Sequence, residues 1–464
     1  MDQAAIALNR FGLGGLGDQD PPSEPRRWLE SQFAAYQPAP AIIASQTGSA
    51  RLIEMLREAR DDRRERKDEA RAAGTDPKPK DDNLPGPYRP LREVYIQAAG
   101  ARITAALTSP APFLERLVHF WSNHFAISID KVSALGLAGA YEFEAIRPHL
   151  LGRFGDMLNA VERHPGMLLY LDQAESIGPE SPLGTRAAQR GKQRGLNENL
   201  AREILELHTL GVRTGYNQQD VTEFARALTG WTLGGIAKQP ALRGPGPKFW
   251  FAAVIHQPGT RTIMGKRYAQ SGEAQAQAVL DDLAAHPSTA KHIATKLARH
   301  FAGDVVPIAL VTRLEKTFLS TRGDLPSLYR VLMDAPEVWG GTAKFRSPWD
   351  WTLAALRATG IKSLPGKSAA GTLQQLGQPI WKPSSPAGYD DLAESWAGPD
   401  ALVRRVEVAQ RLAQRSGAGI DARKLAGRLF AGALSPSTAA AIQRAESGEQ
   451  ALALLLAAPE MMRR

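Results

Sequence analysis

Apolar residues recur every three to four positions along most of the chain, the period of helices that bury one face. Residues 26–36 place Trp28, Leu29 and Phe33 at that spacing, and residues 41–59 continue it through Ile42, Ile43, Leu52, Ile53 and Leu56. Residues 91–109 and 112–128 predict two strong helices. In the second, Phe113, Leu117, Phe120, Trp121 and His124 share one face, and His119 lies on the opposite one. A helical pair follows over 140–171, broken at Gly152 and at His164-Pro165-Gly166. Residues 273–339, 345–360 and 400–463 return to the helical period. Residues 248–268 interrupt it: β-branched and aromatic residues flank a Gln-Pro-Gly turn, which predicts one short β-hairpin with His256 at its bend. The expected fold is mainly α, a large multi-helix globular domain of about 15 or more helices with that single hairpin.

One stretch organises the rest. Residues 196–211, LNENLAREILELHTLG, hold no proline and end at a glycine suited to a left-handed cap. Leu200, Ile204 and Leu207 form an apolar stripe; Asn199, Glu203 and Glu206 form a polar stripe beside it. Glu198 and Arg202 make an i, i+4 pair, and His208 points away from the two acids. The stripe is either a solvated acidic face or the lining of a cleft, where close carboxylates could hold a metal or split their pKa values. His124, in an apolar stripe, is either a satisfied core histidine or a ligand or base. His292, Lys296 and His300, at i, i+4 and i+8, read as a basic outer face.

The punctuation between helices adds two loops. Residues 57–90 alternate charges and end in prolines; the first part extends a solvated helix and residues 78–90 are expected to be mobile. Residues 361–396 are loop-like, and the run at 378–396, GQPIWKPSSPAGYDDLAESW with Gln378 second, is aromatic enough to cover a site. A Gly-rich basic loop at 177–196, with Arg186, Arg190, Lys192 and Arg194, leads into the central helix and offers an anion rim. We divide the chain into a helical domain over 1–400, carrying the 57–90 insertion and the 361–396 loop, and C-terminal helices over 401–464 packed on the same domain.

Composition trims the function classes. The chain of 464 residues is 43% hydrophobic and 23% charged, ordinary for a globular protein. There are no cysteines, so thiolate chemistry, disulfides and cysteine-held metals are out. No run of about 18 apolar residues predicts a membrane span. The N-terminus lacks the basic start and apolar core of a signal peptide. The net charge of +9 favours anionic partners, but its arginines are scattered rather than focused with aromatics, which argues against nucleic acid. Gly-x-Ser-x-Gly, HExxH, a Walker sequence and a dinucleotide fingerprint are all absent.

Several long motifs carry a resemblance. ALNRFGLGG at 7–15, FWSNHF at 120–125, YLDQAESIG at 170–178, the 196–211 stretch, GYNQQDVTEFARALTGW at 215–231 and HPSTAKHIATKLARHF at 286–301 resemble, in order, the bacterial family called domain of unknown function 1800. The similarity runs to about Trp396. The resemblance implies no established activity. It implies export for many members, so this chain is either a mature part or a member that stays inside. It also implies a partner resembling sulfatases and alkaline phosphatases. In the family pattern a second histidine stands where this chain has Ser122, and a tryptophan where it has Tyr389.

Two classes stay open. One is an extracytoplasmic hydrolase-like enzyme acting on an anionic or polymeric substrate. Its catalytic residues would be Glu203, Glu206, His124 and Asp172, with Asn197, Asn199, Arg202, Trp121, Asn123 and Trp231 binding substrate and a divalent metal as a candidate cofactor. The other is a non-enzymatic binding or assembly module of the cell envelope, whose polar helix ties the core together.

Overall fold

The computed structural model describes residues 2–74, 86–191, 195–236, 242–340, 343–416, 419–430 and 434–464. Helices dominate, and one buried apolar cluster runs from Ile6 to Met462, so both ends of the chain share a core. Among the described residues no helix is long and apolar enough to cross a membrane.

The N-terminal motif is bolted into this core by arginine. Its turn leaves carbonyls without strand or helix partners, and such buried groups must be met. Arg116 donates from Nε and Nη2 to the Gly12 carbonyl (2.8 and 2.7 Å), and Arg357 donates to that of Gly14 (2.9 Å). The C-terminal helices join the same body. Arg346 reaches the Met461 carbonyl and Asn9 Oδ1, at 2.8 and 2.6 Å.

The charged stretch continues the helix Ser49–Ala72, with exposed pairs such as Arg66–Asp62 at 2.7 Å. The expected mobile part lies largely outside the described residues; within them Gly86–Tyr88 is a 3-10 turn leading into the helix Arg89–Thr108. The 177–196 segment is less loop-like than expected. Ser181 caps a helix over Pro182–Gln189, and Lys192 and Arg194 lie outside the described residues.

The β structure is two small antiparallel pairs. Arg261–Ile263 and Lys266–Tyr268 form the hairpin, turning through Met264 and Gly265 at φ 50° and 75°. Phe249–Phe251 instead pairs with Trp231–Leu233, in the register Trp231 to Phe251. His256 is thus outside any hairpin bend; its Nδ1 donates to the Thr229 carbonyl at 2.7 Å.

Three helical segments widen to i→i+5 turns: Ala7–Phe11, Glu142–Ile146 and Ile204–His208. Such bulges re-aim side chains and free carbonyls, and they recur beside functional sites. In the second, Glu142 bonds Arg102, Ser122 and Trp381, and in the third the His208 carbonyl bonds His124, all four of them residues of the cavity described next.

Candidate active site

The helix Pro112–His124 begins with a proline at its first turn and buries nearly every side chain. The helix Pro287–Ala302 is amphipathic, with Ile293, Leu297 and Phe301 in the core. His292, Lys296 and His300 lie roughly 100° around from that stripe. The expected basic outer face is in fact a second inner face. The end of the 196–211 segment and the 378–396 loop cover it.

A cavity of about 360 Å³ opens between these elements. Arg102, His119, Ser122, Asn123, His124, Lys296, Arg299, His300, Trp349, Asp350, Trp381, Tyr389 and Asp391 are among the residues that line it. The loop is fastened by a reciprocal amide clamp. Asn123 Nδ2 donates to the Tyr389 carbonyl (2.8 Å), and Tyr389 N–H donates to Asn123 Oδ1 (2.7 Å). Asp391 anchors its far side, accepting from His300 Nδ1 at 3.1 Å and lying 3.5 Å from Lys344 Nζ.

Three histidines at the cavity have their tautomers set by their partners. His124 Nε2 must donate to the His208 carbonyl (3.2 Å), so its Nδ1 keeps a lone pair, which accepts from Lys296 Nζ at 2.9 Å. His300 donates from Nδ1, and its Nε2 faces the Arg464 guanidinium at 3.4 Å. His119 Nδ1 accepts from Trp349 Nε1 at 3.0 Å. Burial, followed by the nearby cations Lys296 and Arg102 respectively, keeps His124 and His119 neutral, with pKa values well below the ordinary histidine range.

The central stretch reaches the histidines through its backbone carbonyls. Where the helix ends, its last carbonyls lack intrahelical partners. The Leu207 carbonyl accepts from His292 Nε2 at 3.1 Å and that of His208 accepts from His124. Gly211 follows at φ +91°, where a Cβ would come within 3.0 Å of His292 Nδ1.

The cavity's charges are unevenly matched. Arg102 is bound to Glu142 (3.0 Å) and sandwiched by Trp349 and Trp381 at 4.3 and 5.0 Å. Asp350 is held by Arg116 and Arg464, each at 2.9 Å. Burial pushes the Asp350 and Asp391 pKa values up, but Arg116, Arg464 and His300 outweigh it at Asp350, and His300, Lys344 and Arg464 at Asp391, so both stay below the carboxylate range. Lys296 and Arg299, by contrast, have no carboxylate oxygen within 4.0 Å among the described residues. Burial lowers the Lys296 pKa to about 8, with Asp391 opposing and Arg299 adding to the shift.

A family model for a protein of unknown function (DUF1800) matches residues 6–463. The chain belongs to that family. No curated protein and no solved structure matches it.

Of the residues expected at the site, this DUF1800 chain brings Asn123 and His124 to the cavity. Trp121 is wholly buried and donates to the Tyr329 hydroxyl at 2.7 Å, so it is core rather than a substrate platform. Trp231 is also buried, under the Arg163 guanidinium. Asn197 shapes the turn into the central helix: it donates to the Leu171 carbonyl (3.0 Å) and caps the Asn199 N–H (2.9 Å). Arg202 pairs with Glu198 at 3.3 Å and lies 3.6 Å from Glu206. Asp172, at φ 58°, pairs with Lys131. None of Glu203, Glu206 and Asp172 lines the cavity.

Sequence reasoning missed Lys296, Arg299, His300 and Asp391. The i, i+4, i+8 row was the signal, and the covering loop was the piece needed to read it as inward. The cavity does not fit a divalent metal. His124 spends its lone pair on an ammonium, His119 on an indole N–H and His300 on a guanidinium, and both aspartates are saturated by cations. Among the described residues no three His, Asp or Glu side chains converge on one point. Ser122, where the family pattern puts a histidine, donates to Glu142 Oε2 at 2.7 Å.

Proposed function

We propose that this cavity is the active site of an enzyme acting on a small anionic substrate or the anionic end of a larger one. Lys296 serves as its acid–base group and His124 positions it. The observation that carries the reading is the pair Lys296 and Arg299, which line one cavity with no carboxylate oxygen within 4.0 Å of either among the described residues. Such a pair attracts an anion strongly where water is scarce. The pKa of Lys296 near 8 places both of its protonation states within reach at neutral pH, as acid–base work requires. The volume suits a small molecule.

Titration calorimetry with sulfate, phosphate and pyruvate tests this. We expect at least one to bind the wild type, and Arg299→Met to weaken it about tenfold, the worth of one charge-assisted hydrogen bond. Failure of all three to bind, or binding unchanged in both Arg299→Met and Lys296→Met, overturns the reading.

A second, hydrolytic reading has one observation in its favour. Glu203 has no side-chain partner among the described residues, and burial, with Glu206 adding, raises its pKa against the pull of His208. That would make it a general acid on a separate face. Turnover abolished by Glu203→Gln but kept in Lys296→Met would favour it. Export and a sulfatase- or phosphatase-like partner belong to the proposal too, on family resemblance alone; co-purification with a co-expressed partner tests the latter.

A further inference from the structure

We propose that Lys296 is a nucleophile that condenses with the carbonyl carbon of a small carboxylated aldehyde or 2-oxo acid, while Arg299 holds the carboxylate. This rests on the reading of the cavity as an anion site and names its substrate class.

The argument starts from what a buried lysine needs. An ammonium kept only as a positive charge is best served by a carboxylate, which would raise its pKa and lock it in the charged, non-nucleophilic form. Lys296 has an uncharged acceptor instead. His124 Nδ1 lies 2.9 Å from Nζ, and the Nε2–H bond to the His208 carbonyl prevents the ring from turning donor toward it. Nδ1 therefore accepts one N–H from either the ammonium or the amine. In the amine form that bond leaves the nitrogen lone pair free of the imidazole. The groups around Nζ are His124, His292, Arg299, His300 and Asp391. The three imidazoles are neutral: burial and the lysine hold the His124 and His292 pKa values down, and burial, against the pull of Asp391, lowers that of His300 to about 4. Arg299 disfavours the ammonium and Asp391 favours it from beyond ion-pair distance. The cluster lowers basicity without removing access to the cavity, as a carbonyl-attacking amine requires.

Arg299 supplies the second half. It lies one turn from Lys296 on the same helix, lines the same space, and lacks a carboxylate within 4.0 Å among the described residues. A guanidinium binds a carboxylate through two parallel hydrogen bonds. A 2-oxo acid, glyoxylate being the aldehyde among them, carries the carbonyl carbon next to that carboxylate, so both groups can be engaged together.

The step balances without a further reagent. The Nζ lone pair forms a bond to the carbonyl carbon, and the carbonyl π pair moves to oxygen, which takes up a proton as nitrogen loses one. The carbinolamine then expels that oxygen as water, leaving a C=N bond. One water is released per imine, and nothing is oxidised or reduced.

Glyoxylate with sodium cyanoborohydride is the probe, because reduction of the imine fixes a carboxymethyl group on the amine. Peptide mass mapping of the wild-type protein reads the site and needs no variant. We expect Lys296 to be modified faster than exposed lysines such as Lys291 and Lys424. Its rate should rise with a midpoint near pH 8. Sulfate should protect it, and pyruvate should divert it to a carboxyethyl adduct. In Lys296→Arg the rapid adduct should vanish, and in Arg299→Met the rate should fall about tenfold at low glyoxylate. Modification of Lys296 no faster than of exposed lysines overturns the inference. If sulfate binds the cavity while Lys296 stays unmodified, the anion site stands and the nucleophile falls. If neither sulfate nor glyoxylate binds, both fall.

Discussion

His124 and Glu203 occupy opposite positions in this molecule, though the sequence groups them as partners. His124 is buried with both ring nitrogens engaged, one by a backbone carbonyl and one by an ammonium. Replacing it with leucine strands Lys296 without an acceptor in a poorly hydrated place. We expect His124→Leu to lower stability in urea unfolding by about 3 kcal/mol, the scale for orphaning a buried charge. His124→Gln, which keeps an acceptor, should recover a good part of that. Equal losses in the two variants would mean that ring packing alone accounts for the cost. Glu203 should behave in the reverse sense. Its folded pKa is raised, first by burial and then by Glu206, so its contribution to stability is full in acid and lost as pH rises through that value. Glu203→Gln removes this penalty. Its Tm should match the wild type near pH 4 and exceed it near pH 8; a variant less stable at both would assign the acid a structural bond.

At the scale of elements, the 378–396 loop turns a basic helix face into a cavity wall, and Gly388 lets it do so. At φ +82° its Cα approaches the Pro112–His124 helix so closely that a Cβ would lie 2.3 Å from the Asn123 carbonyl oxygen. Gly388→Ala must therefore break the Asn123–Tyr389 clamp or shift the loop. We expect a loss of about 2 to 3 kcal/mol for a left-handed position with a backbone clash. Faster amide exchange should appear over residues 385–393, with the rest of the fold unaltered. Unchanged protection there would show that Asp391 alone holds the loop. The helices were legible from periodicity, and a hairpin within 248–268 from its β-branched and aromatic content, although its bend lies at Met264–Gly265 and not at the Gln-Pro-Gly turn. What the 378–396 loop covers was not legible. Helical period sets the row His292, Lys296 and His300 about 100° around from Ile293 and Leu297, and a one-sided helix leaves such a polar row in water. Only contacts distant in sequence, such as Asn123 to Tyr389 and His300 to Asp391, reveal a helix buried on both sides. The acidic stripe of the central helix misled for the same reason: its carboxylates were visible in the sequence, while the carbonyls of Leu207 and His208 that orient the histidines were not.

For the molecule as a whole, the charge of +9 describes the interior as well as the surface. Arg10, Arg102, Arg116, Arg147, Arg346, Arg357, Arg405 and Arg464 are all buried, several of them tying backbone carbonyls of distant segments together. Asp350 is the counter-ion at the junction of Arg116 and Arg464, so it links the N-terminal motif to the C-terminal end of the fold. Removing one partner of a buried pair costs more than the pair contributes, and Asp350→Asn should destabilise the protein by about 3 to 5 kcal/mol. The same interior sets the acid response. His292 and His300 have folded pKa values near 4, through burial first, with Lys296 opposing a second charge at His292 and Asp391 partly offsetting the shift at His300. An unfolded histidine titrates near about 6.5. Their contribution is therefore complete above that pH and is lost as pH falls from it toward 4, because the unfolded chain takes up protons that the fold refuses. Asp350 and Asp391 are held below the ordinary carboxylate value of about 3.9, so their contribution survives that window and fails only in stronger acid. Thermal unfolding measured from pH 8 to pH 3 should show a plateau, a decline beginning near about 6.5 and a steeper fall below about 4. His300→Gln should flatten the first decline and leave the second in place. A Tm constant between pH 7 and pH 4.5 would contradict the neutral histidines, and with them the hydrogen-bond directions that give Lys296 its uncharged acceptor.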